Sequence, residues 1–152
     1  MNLHVSDRFR DAGLLVLRVG IGLSFVGYGA PKLLGGPPVW EDLGQAMKYL
    51  GIRFAPAVWG FLAAVSEFFG GMALVAGWLV RPAAFFLVCT MCVATVQHIG
   101  RGDGYSGGAF HSIEMGVVCL SLLLVGAGRY SLDEWLPRRR RRGTGVPRES
   151  RQ

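Results

Sequence analysis

The chain has 152 residues, 51% of them hydrophobic and 17% charged, with a mean hydropathy of +0.38, whereas an ordinary soluble domain carries about a quarter charged residues. That balance excludes a comfortable water-soluble globule, and three cysteines, all inside apolar runs, exclude a disulfide framework or a zinc module. The net charge of +6 comes from 16 Lys+Arg against 10 Asp+Glu. Most of the excess lies in the tail, in Arg138 to Arg142, Arg148 and Arg151, so the body is nearly neutral and is not a basic nucleic-acid-binding surface.

In chain order, residues 1–11 read as a cytoplasmic N-terminus. A first apolar stretch follows at residues 12–29 (AGLLVLRVGIGLSFVGYG), interrupted only by Arg18. It is close to the roughly 20 residues that a membrane-spanning helix needs. Arg8 and Arg10 precede it as they would a signal peptide, but its length, its internal arginine and the lack of a small-x-small cleavage site predict that it is retained. The connection from Ala30 to Pro56 places Trp40, Leu43, Met47 and Leu50 at helical spacing, with Glu41, Asp42, Gln45 and Lys48 between them. We expect a short amphipathic helix there, introduced by Pro37-Pro38 and lying on the outer membrane surface.

A second span is expected at residues 57–80, with Glu67 as its only charge, then a tight break at Arg81-Pro82. A third, at 83–99, ends in Gln97 and His98; a Gly-rich loop leads to a fourth, at 110–127, with Glu114 near its start. No segment carries the polar stripe of a soluble bundle helix. Ser131 then caps a helical turn, Leu132 to Leu136, with Trp135 at the interface and Pro137 as its stop. The fold class is therefore all-α: an integral membrane bundle of four transmembrane helices, residues 12–136, with a short interfacial helix after the first span. Residues 137–152 read as a basic, disordered cytoplasmic tail. With both termini inside, the cytoplasmic face holds Arg8, Arg10, Arg81, Arg129 and the tail arginines, against Lys32, Lys48, Arg53 and Arg101 outside. The arginine run sets this orientation and meets anionic lipid; no nucleic-acid partner is expected.

An ionisable side chain inside a span costs about 2.5 to 3.5 kcal/mol, so each needs a partner or a wet cavity. Gly60, Ala64, Glu67 and Gly71 share one helical face, as do Arg18, Gly22, Phe25, Gly29 and Lys32, so both charges point toward other helices. With Arg18 about 9 Å above the cytoplasmic end of its helix and Glu67 near mid-membrane, a buried Arg18–Glu67 ion pair is expected. Tyr28, Lys32, His98, His111 and Glu114 converge on the outer mouth. Two readings stay open: polar groups that only fix packing, or an outward-open pocket for a quinone ring or other lipid-like headgroup. Two histidines and a carboxylate could ligate a metal by residue type, but no ligand spacing supports it and no metal is assigned. Cys89-x-x-Cys92 lies mid-helix with nothing to form a thiolate, and it and Cys119 read as inert.

Four patches carry a resemblance: Leu17 to Gly22; Tyr28 to Leu33; Glu67 to Leu74 with Gly77 and Arg81; and Gly126 to Asp133. In this order and spacing they resemble the DoxX family of small bacterial membrane proteins. The resemblance implies a four-helix protein of the cytoplasmic membrane. The family takes its name from a subunit of a quinone-linked oxidoreductase complex, and other members look like accessory components of membrane redox systems. No catalytic residue set travels with the family, so none is carried over. The leading expectation is a non-catalytic subunit or accessory factor of such a system, working with an oxidoreductase partner. The alternatives are a small transporter or channel using Glu67 as a proton or cation site, and a purely structural protein that recruits others.

Overall fold

A computed structural model describes residues 3–103 and 108–135, with side chains from residue 8 onward. Five α-helices follow one another: α1 (Leu3–Leu34), α2 (Gly36–Gly44), α3 (Pro56–Ala76), α4 (Val80–Arg101) and α5 (Phe110–Val125), with a 3-10 helix, Gln45–Leu50, after α2. Among the described residues there is no strand. Residues Arg8–Leu34 of α1, together with α3 and α4, are long and apolar enough to cross a membrane; α5 is equally apolar but has only 16 residues. The tail at residues 137–152 lies outside the described residues.

The breaks between helices follow from local chemistry. Gly36 takes a left-handed conformation (φ +73°), and Pro37 and Pro38 then open α2, at positions where a helix has no use for their missing N–H groups. The chain between α1 and α3 is thus helical only in part, α-helical to Gly44 and 3-10 to Leu50 rather than one continuous helix, and α2 packs onto the start of α3. Gly44 and Gly60 form the contact: a Cβ on Gly60 would lie 1.8 Å from the Trp40 carbonyl oxygen, and one on Gly44 would lie 1.6 Å from that of Pro56.

The α3–α4 turn differs from expectation. Gly77 (φ +69°) ends α3 with paired bonds, Gly77 N–H to Leu74 O and Trp78 N–H to Ala73 O, and left-handed Leu79 completes the reversal. The break therefore precedes Arg81-Pro82, and Pro82 sits within the first turn of α4, where proline removes no intrahelical bond.

The helices share one apolar core. Phe25 of α1, Leu74 of α3, Ala84, Leu87 and Met91 of α4, and Met115, Cys119 and Leu122 of α5 are all buried in it. Helices α1 and α3 run antiparallel at close range: Gly22 faces Gly71 and Val75, while Gly29 faces Glu67 and Phe68. The packing is small residue against backbone, the arrangement that lets membrane helices gain van der Waals contact where no hydrophobic effect separates helix from lipid.

Candidate functional site

The buried charges sort to two different places. Glu67, at the middle of α3, is buried, 3% exposed. Its partner is Lys32, in the last turn of α1, whose ammonium donates to both carboxylate oxygens at 2.7 and 2.6 Å. The expected Arg18–Glu67 pair is not formed. Arg18 and Lys32 do share a face of α1, but they stand fourteen residues apart, about 21 Å along the helix. Because α1 and α3 are antiparallel, that separation carries Arg18 past the end of α3 and brings Lys32 to Glu67.

Three neighbours fix the pair. The tight approach at Gly29, where a Cβ would sit 2.5 Å from the Phe68 backbone nitrogen, presses the Glu67 segment onto α1. The Trp40 indole N–H donates to the Lys32 carbonyl at 3.0 Å, satisfying a carbonyl that the end of the helix leaves without an intrahelical donor. The Trp40 ring in turn packs edge-on against Phe61, 4.8 Å between centroids. The Lys32 side chain stays 31% exposed while that of Glu67 is 4% exposed, so the pair is open on the lysine side. An ammonium has three N–H donors and Glu67 takes two, which leaves one for an acceptor arriving from that side.

Of the other residues expected at the outer mouth, Tyr28 on α1 and His111 on α5 meet, their rings 5.6 Å apart and tilted by 58°. Tyr28 lies one helical turn before Lys32, so this contact adjoins the ion pair on the same face of α1. The remaining two go elsewhere. His98 turns to Asp103, Nδ1 to Oδ2 3.0 Å, at the end of α4, and Glu114 is exposed on α5. No group of three or more His, Cys, Asp or Glu among the described residues could hold a metal ion. Cys89 and Cys92 are exposed and free, and Cys119 is buried.

The second place lies at the opposite end of the bundle, where α3 ends, α4 begins and α5 has just finished. Arg18, 1% exposed, donates through Nη1 to the Ala127 carbonyl and through Nη2 to that of Tyr130 at 2.6 Å. Any side chain at Gly77 would collide with it, since a Cβ there would stand 2.8 Å from Arg18 Cζ. Asp133 completes the assembly. Its Oδ1 accepts from Leu79 N–H at 2.8 Å and its Oδ2 from Val80 N–H at 3.0 Å, while its own N–H donates to Gly77 O at 3.0 Å. Ser131 caps the final turn as expected, accepting from Glu134 N–H at 3.3 Å. Buried Asp11 accepts from Arg129 N–H at 3.4 Å. Sequence reasoning missed half-buried Asp133 and buried Asp11 as acceptors; the signal was the position of Asp133 two residues after the capping serine, where its target lies across the bundle rather than along the chain.

These two assemblies draw on all four patches that carried the family resemblance. Residues 13–99 match the DoxX family profile. The chain belongs to the DoxX family. The match takes in Arg18, Lys32, Glu67 and Gly77 and stops inside α4, so α5 and the Gly126 to Asp133 segment lie beyond it. This DoxX protein is also similar to the inner membrane protein YqjF of Escherichia coli (strain K12), 28% identical over 131 residues, which are 85% of this chain and 95% of the relative. No solved structure matches the chain.

Proposed function

We propose that this DoxX protein is a non-catalytic subunit or accessory factor of a membrane redox system, and that the Lys32–Glu67 pair receives the head of a quinone-like molecule. The observation that carries this reading is the lysine's partial exposure beside Tyr28 and His111: a buried carboxylate fixes an ammonium that keeps a donor for a ring carbonyl, with two aromatic rings alongside. The protein lies in the cytoplasmic membrane, as the name of its Escherichia coli relative supports. Both termini face the cytoplasm, supported by the basic residues that gather on that side. Helix α5 forms a fourth span: its 16 residues cover about 24 Å, and Met115, Cys119 and Leu122 share the core of the longer helices. Helix α2 lies at the outer interface.

A transport role for Glu67 fits less well, because Lys32 already occupies the place that a cation would need. The test is purification from the native membrane in mild detergent, with identification of co-purifying proteins and extracted isoprenoid quinones, for wild type and Lys32→Met. A retained oxidoreductase partner, with quinone present in wild type and depleted in the variant, supports the reading. Glu67-dependent ion flux in proteoliposomes with neither partner nor quinone overturns it.

A further inference from the structure

A cavity of about 500 Å³ opens where the 3-10 helix turns into α3, lined by Gln45, Lys48, Tyr49, Arg53, Phe54 and Pro56 among others. It is separate from the Lys32–Glu67 pair, since Pro56 and Glu67 are about 16 Å apart along α3. Two cations and an amide line it, and no carboxylate does; Glu41 and Asp42, on α2, are not part of its wall. Neither Lys48 nor Arg53 has an ion-pair partner among the described residues, where the pairs are Lys32–Glu67 and His98–Asp103. Lys48 instead lies by the Tyr49 ring, 5.1 Å from its centroid. Next to the lining residues Phe54 and Pro56 the backbone takes an unfavourable conformation, because Ala55, a non-glycine residue, sits at φ +49° just before α3 starts. Such strain persists only where the surroundings enforce it. The rest of the lining, Tyr49, Ile52, Phe54 and Pro56, is largely apolar, and Phe54 is 69% exposed.

We propose that this cavity binds the phosphodiester headgroup of an anionic membrane lipid. The site stands at the end of a membrane-spanning helix, the depth of a lipid phosphate. The arginine fork and the lysine point charge both suit phosphate oxygens, and Tyr49 and Phe54 give the glycerol and upper acyl carbons an apolar wall. Lysine and arginine gathered at a membrane surface attract anionic headgroups by this chemistry. The site stands whether or not the redox reading above does.

The test is native mass spectrometry of the full chain in detergent, titrated with phosphatidylglycerol or with phosphatidylcholine. One phosphatidylglycerol should be retained in preference to phosphatidylcholine, and Lys48→Gln with Arg53→Gln should lower that retention about tenfold or more. Lys48→Arg, which keeps the charge, should retain it. Both side chains are exposed, so the double variant should fold; if it does not, Arg53→Gln alone is read for a smaller loss in the same direction. Equal retention of the two lipids, or unchanged retention in the folded variant, overturns the proposal. Displacement of the lipid by inorganic phosphate overturns the lipid as ligand in favour of a soluble anion.

Discussion

Lys32 and Glu67, 35 residues apart in sequence, are joined by hydrogen bonds to both carboxylate oxygens, so the last turn of α1 is tied to the middle of α3. Removing one member leaves the other as an uncompensated charge within the bundle. Lys32→Met and Glu67→Gln should each lower stability by about 2 to 3 kcal/mol, below the range for a fully enclosed pair because the lysine is partly open. The double variant should lose less than the sum. Thermal unfolding of all four proteins in one detergent gives the coupling, and strictly additive losses would refute the pairing.

Arg18 is the corresponding fastener at the other end. Arg18→Met should cost about 2 to 4 kcal/mol, since a buried guanidinium and both of its carbonyl hydrogen bonds are lost. Arg18→Lys should recover only part of this, because one ammonium lacks the planar fork that reaches both carbonyls. The two substitutions should also expose the 126–135 segment to protease at lower temperature than in wild type. Equal resistance in all three proteins would show that the segment is held by other contacts.

Two glycines on membrane helices should answer oppositely to one methyl group. At Gly60 the added carbon meets the Trp40 carbonyl at 1.8 Å, so Gly60→Ala should push α2 away and cost about 2 kcal/mol or more. At Gly27 nothing lies within 4 Å, and Gly27→Ala should be neutral or stabilising by up to about 1 kcal/mol. Melting temperatures that fall together would mean that α2 is not docked as described.

The cysteines offer a check on which side of α4 faces outward. In detergent at alkaline pH, where hydroxide supplies the thiolate that the helix does not, a small maleimide should modify exposed Cys89 and Cys92 slowly but well ahead of buried Cys119. Labelling of Cys119 at the same rate would displace α5 from the core.

The helical stripes on α1 and α3 were legible in the sequence because small residues at spacings of three, four and seven mark a packed face whatever the partner. The partner itself was not. Choosing between Arg18 and Lys32 for Glu67 required the offset between two antiparallel helices, and that offset follows from the unseen start of α1 at Leu3, far beyond the ends of α3 and α5. Measured from its own helix Arg18 seemed inside the membrane; measured from its neighbours it is level with Gly77 and Tyr130. The Tyr28 and His111 rings meet, whereas His98 goes to Asp103, because a short loop carboxylate next to a helix end competes with any longer reach.

Asp133 caps the first backbone N–H groups of α4 from 53 and 54 positions further along the chain. Ribosomes deliver residues in order, so the hairpin of α3 and α4 is made, and enters the membrane, well before the carboxylate that finishes its turn exists. The Arg18 guanidinium likewise waits for Ala127 and Tyr130. Assembly thus has a built-in last step. Chains released before residue 133 would hold every long apolar helix of the described residues yet lack the clasp that joins α1 to the α3–α4 turn at this end of the bundle, and membrane proteases would meet them as unfinished.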